Sequence, residues 1–202
     1  MLVMRFFASG PLQQYASFFN VYAIHAESAQ SGAKHPNTAA DCPTGGSQVP
    51  VSNPTNLLGT TFDYAGTHRL LYSSNQSAIN QLLSTNTPWF DKGLVLVNSA
   101  YYGGSGGAQA FGSTNASSAE IMIHEFGHSF AALADEYGGA SCGSNVSAPN
   151  VTKQTQASSI PWSVWIDAQT PLPTPANTLC SGVGLYEGAY YCDTGIYRPM
   201  CN

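Results

Sequence analysis

The stretch from Ser117 to Phe130 restricts what this chain can fold into more than any other, because it reads as a capped, buried helix carrying His-Glu-x-x-His. Ser117 followed by Glu120 has the spacing of a capping box, and Ala119, Ile121, Met122, Ile123, Phe126 and Phe130 are apolar nearly all round the helix. His124 and His128 stand one turn apart on the same face, with about 5–6 Å between Cβ atoms, so their imidazoles can hold one zinc ion. Glu125 points to the neighbouring face and can reach a water on that ion as general base without being a ligand. Histidines at this spacing also occur as ordinary core or surface pairs. Against that reading stand the strength of the helix pattern, its apolar character and the acidic pair Asp135-Glu136, which follows where a third ligand is needed.

The rest of the chain narrows the setting. At 202 residues with 43% hydrophobic and 11% aromatic content, it can bury one core, or one core with a lobe. Only 8% of residues are charged, and a net charge of −5 with six Lys+Arg argues against nucleic acid or an anionic membrane as a partner. No apolar run is long enough to span a bilayer, and Met1 to Phe7 is too short for a signal-peptide core. Cys42, Cys142, Cys180, Cys192 and Cys201 lack zinc-finger spacing and read as disulfide formers, which implies an oxidising, extracellular compartment. Proximity in sequence predicts the pairs 142–180 and 192–201, with Cys42 unpaired or tied to a segment beyond this chain. The sequons at Asn75, Asn115, Asn145 and Asn150 agree with secretion as a glycoprotein. The odd cysteine and the end at Asn202 suggest a truncated chain.

Taken in order, Pro11 to Phe19 suggests a short helix and Phe19 to Ala26 a first strand with alternating apolar residues. Glu27 to Gly59 reads as a long loop stapled by a disulfide at Cys42, with His35 solvated in it. Arg69 to Tyr72 reads as a second strand preceded by a structural His68, and Ser77 to Ser84 as an amphipathic helix with Ile79, Leu82 and Leu83 inward. Gly93 to Asn98 has the continuous apolar character of a buried parallel strand. The glycine-rich Tyr101 to Gly107 is either a plain connector or a mobile segment that pairs an extended peptide as an added strand. The expected class is α/β (α+β), with a mixed, mostly parallel sheet and the histidine helix. The upper part runs over about 11–137, and residues 138–202 form an irregular, disulfide-tied lower lobe of one catalytic domain, closing the other side of the cleft.

The segment His124 to Tyr137, HEFGHSFAALADEY, resembles the active-site signature of the IgA-peptidase family of secreted metallo-endopeptidases. Tyr15 to Ala23, Ser31 to Pro36, Phe62-Asp63 with His68 to Tyr72, Ile160 to Trp162, Gly184 to Ala189 and Gly195 to Pro199 resemble further blocks of that family, in its order. The resemblance implies a zinc endopeptidase with a metzincin-like catalytic domain. In the metzincin pattern H-E-x-x-H-x-x-G-x-x-H, position 131 is Gly and position 134 His, whereas here both are Ala. A methionine turn is implied after Tyr197-Arg198-Pro199, a part that Met200 would play.

The expected chemistry is zinc-promoted peptide hydrolysis by a monomer acting on polypeptides, with immunoglobulin-like or other glycoprotein substrates, Glu125 as base and His124 and His128 as ligands. The third ligand is Asp135, seven residues past His128, or Glu136, eight past it, with Glu187 next in line. The chain must turn back sharply to bring either round, with ordinary dihedrals at Ala131 and Ala132, and the carboxylate not on zinc orients the site. Tyr197 or Tyr137 is the candidate for oxyanion stabilisation. The rival from another class is a catalytically silent protein- or glycan-binding module that retains the zinc-site helix. Loss of the base would mark it, and Glu125 is intact.

Overall fold

A computed structural model describes residues 2–10, 12–140, 142–143, 145–176 and 182–201. They divide into two compact units, Met1–Ala131 and Ala132–Asn202. The described helices include none long and apolar enough to cross a membrane.

The first unit begins with the short helices α1 (Leu2–Phe6) and α2 (Leu12–Tyr15), the latter running into a 3-10 turn at Ala16–Phe18. Phe19 to Ala26 is not a strand: it joins no ladder, and Val21 and Tyr22 are more than half exposed. Its alternation has no sheet to face. Strands β1 (Thr60–Thr61) and β2 (Tyr72–Ser73) pair antiparallel, so the second predicted strand shrinks to its end. Helix α3 (Gln76–Asn86) starts where Asn75 Oδ1 accepts the Ala78 N–H at 3.3 Å, and it buries Ile79 with Leu83 packed beside it.

Strands β3 (Gly93–Val97), β4 (Gly104–Ser105) and β5 (Gln109–Ser113) form a sheet in the order β3-β5-β4. β3 runs parallel to β5, with Val95 opposite Phe111, and buries Val95 and Val97 against Phe62, Leu71 and Phe111 while Leu94 and Leu96 face outward. β4 pairs antiparallel with β5, because only residues 106–108 separate them. The described sheets are therefore mixed, with one parallel ladder rather than a mostly parallel arrangement. Nor does the glycine-rich stretch offer an open edge at β4. Gly104 N donates to Arg69 O, Leu71 N donates to Gly104 O and the Ser105 hydroxyl donates to Leu71 O.

Helix α4 (Ser118–Ala131) lies on this sheet, with Ile121 against Gly104 and Met122 against Gly112. The turn into it is made by Asn115, whose Oδ1 accepts the Ser117 N–H at 3.0 Å. The outer face meets α1 and the following segment: Phe6 and Phe19 pack on Phe126, and Phe126 stacks on Phe130. The loop before β1 packs into the same core as β3 through Ala33. His35 is buried, stacked on Phe62 and edge-on to Tyr101, not solvated, and burial with the nearby His68 pushes its pKa down to about 4 against the opposing pull of Asp63. Cys42 is a free thiol, so no disulfide staples that loop.

The second unit is largely irregular around one hairpin, β6 (Tyr186–Ala189) with β7 (Cys192–Arg198). Val151, Ala189, Cys192 and Ile196 form one small core, and Ile160, Trp162 and Leu185 another, where Trp162 Nε1 donates to Gly184 O at 2.7 Å. Cys142 and Cys192 are joined, which overturns both pairs expected from proximity. Sequence distance fails here because the hairpin carries Cys192 back beside the Ala140 backbone, with which it forms a bridge. Cys201 is also disulfide-bonded, and Cys180 lies outside the described residues.

Candidate metal centre

The histidine pair runs from the middle of α4, at His124, to its last turn, at His128, and the helix is packed on both sides. His124 Nε2 and His128 Nε2 are 3.1 Å apart, with the rings crossed at 85°. Two imidazole nitrogens each about 2.0–2.1 Å from one tetrahedral ion would be about 3.3 Å apart. The pair thus fits a shared zinc with no change of rotamer, and the same separation admits an N–H···N hydrogen bond when one ring is the donor. His124 is exposed and His128 half-buried, so the pair is open to a ligand.

Glycines let the sheet approach this helix closely. A β-carbon on Gly104 would lie 2.5 Å from Ile121 Cγ2 and 3.2 Å from Glu125 Cγ, and one on Gly106 would lie 2.7 Å from His128 Cβ. The stretch that sequence left between connector and peptide platform is thus a packing surface under the helix. Glu125 itself is half-buried beside it.

The helix stops at Ala131, and Ala132 takes φ 53°, a left-handed conformation normally left to glycine. This corrects the expectation of ordinary dihedrals. The turn follows the helix-terminating pattern, displaced by one residue: where the metzincin motif has Gly three positions before its third ligand, this chain has Ala132 three before Asp135.

Within the second unit, Asp135 and Glu136 have different partners. The Tyr191 hydroxyl donates a short hydrogen bond to Asp135 Oδ2, and the Tyr137 hydroxyl lies 3.3 Å from that of Tyr191. Burial, then the bond to Asp135, pushes the Tyr191 phenol well above the usual tyrosine range, so it remains a donor. Tyr190 and Tyr191 have φ 55° and 61° at the tip of the β6–β7 hairpin, positions that favour Asn and Gly. The strain is held by two backbone bonds, Tyr190 N to Asp135 O at 2.9 Å and Tyr191 N to Tyr137 O at 3.1 Å.

Glu136 is held instead by Asn150. That amide donates to Glu136 Oε1 and to Ala134 O and accepts from Ala134 N, each at 2.8 Å. Asn150 is buried with its amide fully used, so its sequon is not a glycan acceptor in the folded chain. Tyr191 and Asn150 were both missed in sequence. Nothing in spacing marks Tyr191, and the sequon disguised Asn150.

The remaining candidates are placed otherwise. Tyr197 is half-buried in β7 and packs against the Trp162 cluster, and Tyr137 is partly exposed. Glu187 Oε1 accepts the Gly195 N–H at 2.7 Å, an internal hairpin contact. Met200 is 46% exposed, which does not suit a methionine packed beneath a metal.

A comparison with curated proteins found no match. The family model described as IgA Peptidase M64 matches residues 1–179, which include the whole histidine helix, Asp135, Glu136 and Asn150. By that match, spanning most of its length, the chain belongs to the M64 family of IgA peptidases.

Proposed function

We propose that this peptidase is a secreted, monomeric zinc endopeptidase of extracellular polypeptides, with His124, His128 and Asp135 holding the ion and Glu125 as base. The observation that carries the reading is the 3.1 Å separation of the two Nε2 atoms next to an intact glutamate, in a chain of a peptidase family. Asp135 is preferred to Glu136 because the Glu136 carboxylate is engaged by a buried amide, whereas the tyrosine hydroxyl on Asp135 Oδ2 is the support a ligating carboxylate needs. The spacing of Asp135, three residues past the left-handed Ala132, equals that of the metzincin ligand from its glycine and supports the same choice. A bound zinc supplies a Lewis acid for the scissile carbonyl and lowers the pKa of a coordinated water. Glu125 takes the proton from the attacking water and passes it to the leaving amine nitrogen. His124 and His128 would hold the ion through unprotonated ring nitrogens, as metal binding requires, and the Tyr191 hydroxyl fixes the Asp135 carboxylate by donating to it. The disulfide Cys142–Cys192 supports an oxidising compartment, and the family's description makes immunoglobulins and other glycoproteins the first substrates to try.

The test is digestion of unfolded casein and of immunoglobulin A by the parent and by Glu125→Gln, with and without chelator. Cleavage should stop in the variant while its metal content equals the parent's, and chelator should stop the parent. A parent that holds metal but cleaves neither protein nor a peptide library would replace this reading with that of a binding module. A single species of chain mass on gel filtration is expected.

A further inference from the structure

We infer a second metal site in the first unit, formed by Cys42, Asp63 and His68 and suited to a zinc-type divalent ion. The three donor atoms face one another: His68 Nδ1 is 2.7 Å from Asp63 Oδ1 and 3.3 Å from Cys42 Sγ, and Cys42 Sγ is 3.5 Å from Asp63 Oδ1. For thiolate, imidazole and carboxylate donors on one tetrahedral zinc, the corresponding edges are about 3.4, 3.6 and 3.6 Å. Two of the three edges already match, and the third opens when an ion replaces the proton between imidazole and carboxylate.

The convergence is built by the surrounding chain. Asp63 has a fully buried side chain and sits at φ 60°. Its second oxygen accepts the Thr38 N–H at 2.7 Å, and the His68 N–H donates to Asp41 Oδ1 at 2.8 Å, so the loop holding Cys42 and the turn holding Asp63 and His68 are anchored to each other from both sides. Cys42 is a free thiol while Cys142, Cys192 and Cys201 are in disulfides. Beside the cluster lies His35, 2% exposed, with both ring nitrogens lacking a hydrogen-bond partner and its ring centre 6.2 Å from that of His68. An imidazole so placed is a candidate fourth donor, and a water is the other.

A Cys-His-Asp relay does not fit the same atoms. In a relay the nucleophile and the carboxylate sit at opposite nitrogens of the imidazole. Here both lie at Nδ1, and the thiol touches the carboxylate directly. One thiolate and one carboxylate balance a divalent cation, which then ties residues 38–42 to residues 63–68. Those residues lead into Arg69 to Leu71, the stretch bonded to the β4 edge beneath α4. The ion is structural in this position.

Cobalt(II) loading of the metal-stripped, disulfide-intact full chain tests this, because the proposed catalytic centre contains no sulfur and cannot give a thiolate-to-cobalt charge-transfer band whether or not it is active. The parent should show that near-ultraviolet band. It should vanish in Cys42→Ser, weaken at least severalfold in His68→Ala, and survive in the His124→Ala/His128→Ala double variant. Absence of the band from the folded parent, or its persistence in Cys42→Ser, overturns the site. Should Cys42→Ser fail to fold, alkylation of the parent thiol decides: zinc should slow iodoacetamide labelling of Cys42 at least tenfold, and equal rates with and without zinc refute the inference.

Discussion

Replacing Asn150 with alanine isolates the piece of the fold that keeps the acidic pair in place. The amide makes three hydrogen bonds at 2.8 Å, two to the Ala134 peptide and one to the Glu136 carboxylate, and it is only 7% exposed. Bonds to neutral backbone groups contribute about 1 kcal/mol each and a bond to a charged carboxylate about 1.5–3 kcal/mol, so Asn150→Ala should lose about 3.5–5 kcal/mol of stability. Urea unfolding followed by tryptophan fluorescence, with an unchanged slope, reads that loss. Because Ala134 and Glu136 flank Asp135, zinc affinity should fall with it, by roughly 10–100-fold. Asn150→Asp is the sharper control. It keeps shape and acceptor but loses both donated bonds and sets a second carboxyl against Glu136, which raises a folded-state pKa above the unfolded value. A raised carboxyl pKa stabilises below the unfolded pKa, and the benefit is lost as pH rises through the folded pKa, so this variant's deficit against the parent should be smallest in acid and grow towards neutral pH. A loss below 1 kcal/mol for Asn150→Ala, or a glycan found on Asn150 of the folded protein, would refute the account.

Ala132→Gly should stabilise the chain by about 1 kcal/mol, seen as a higher urea midpoint, since the left-handed turn costs alanine about that much. Gly106→Ala puts a methyl 2.7 Å from His128 Cβ and should cost about 1–3 kcal/mol and displace the histidine, read by thermal unfolding and metal content. Tyr191→Phe removes the donor on Asp135 and should weaken zinc binding about 10–100-fold in a competition assay while chain stability changes less. Removing Cys142–Cys192, which closes a separation of 50 residues, by the double variant Cys142→Ala/Cys192→Ala should cost about 4 kcal/mol on chain entropy, measurable as a urea midpoint below the parent's.

What sequence revealed and what it hid divide along a physical line. Helices α3 and α4 were legible because their apolar spacing is a local property, and β3 was legible as a strand paired in parallel, although its continuous apolar run implied burial on both faces and Leu94 and Leu96 are exposed. The histidines and Glu125 were legible for the same reason, since one helical turn fixes their relation. Phe19 to Ala26 alternates like a strand but finds no neighbour, and pairing is not encoded in alternation alone. His35 looked solvated because its neighbours in sequence are polar, while Phe62 and Tyr101, which bury it, are remote in the chain. The disulfide followed the hairpin, not the spacing. The left-handed Ala132 violates the glycine rule that makes such turns readable, so the turn itself had no sequence mark, although the count from His128 to Asp135 already showed one residue more than the metzincin spacing.

The Cys142–Cys192 bond has a bearing on how this chain would survive the company of peptidases. The interval it encloses holds most of the irregular unit, including exposed residues such as Val164 and Trp165 where a peptidase finds easy purchase. Lys153 is the one basic residue in that interval. A clip anywhere between the two cysteines leaves both fragments covalently joined, so nicked molecules migrate whole until reductant is added. A cut between these cysteines therefore adds one water to the mass but releases no fragment under oxidising conditions, and the damaged chain keeps its parts at high local concentration.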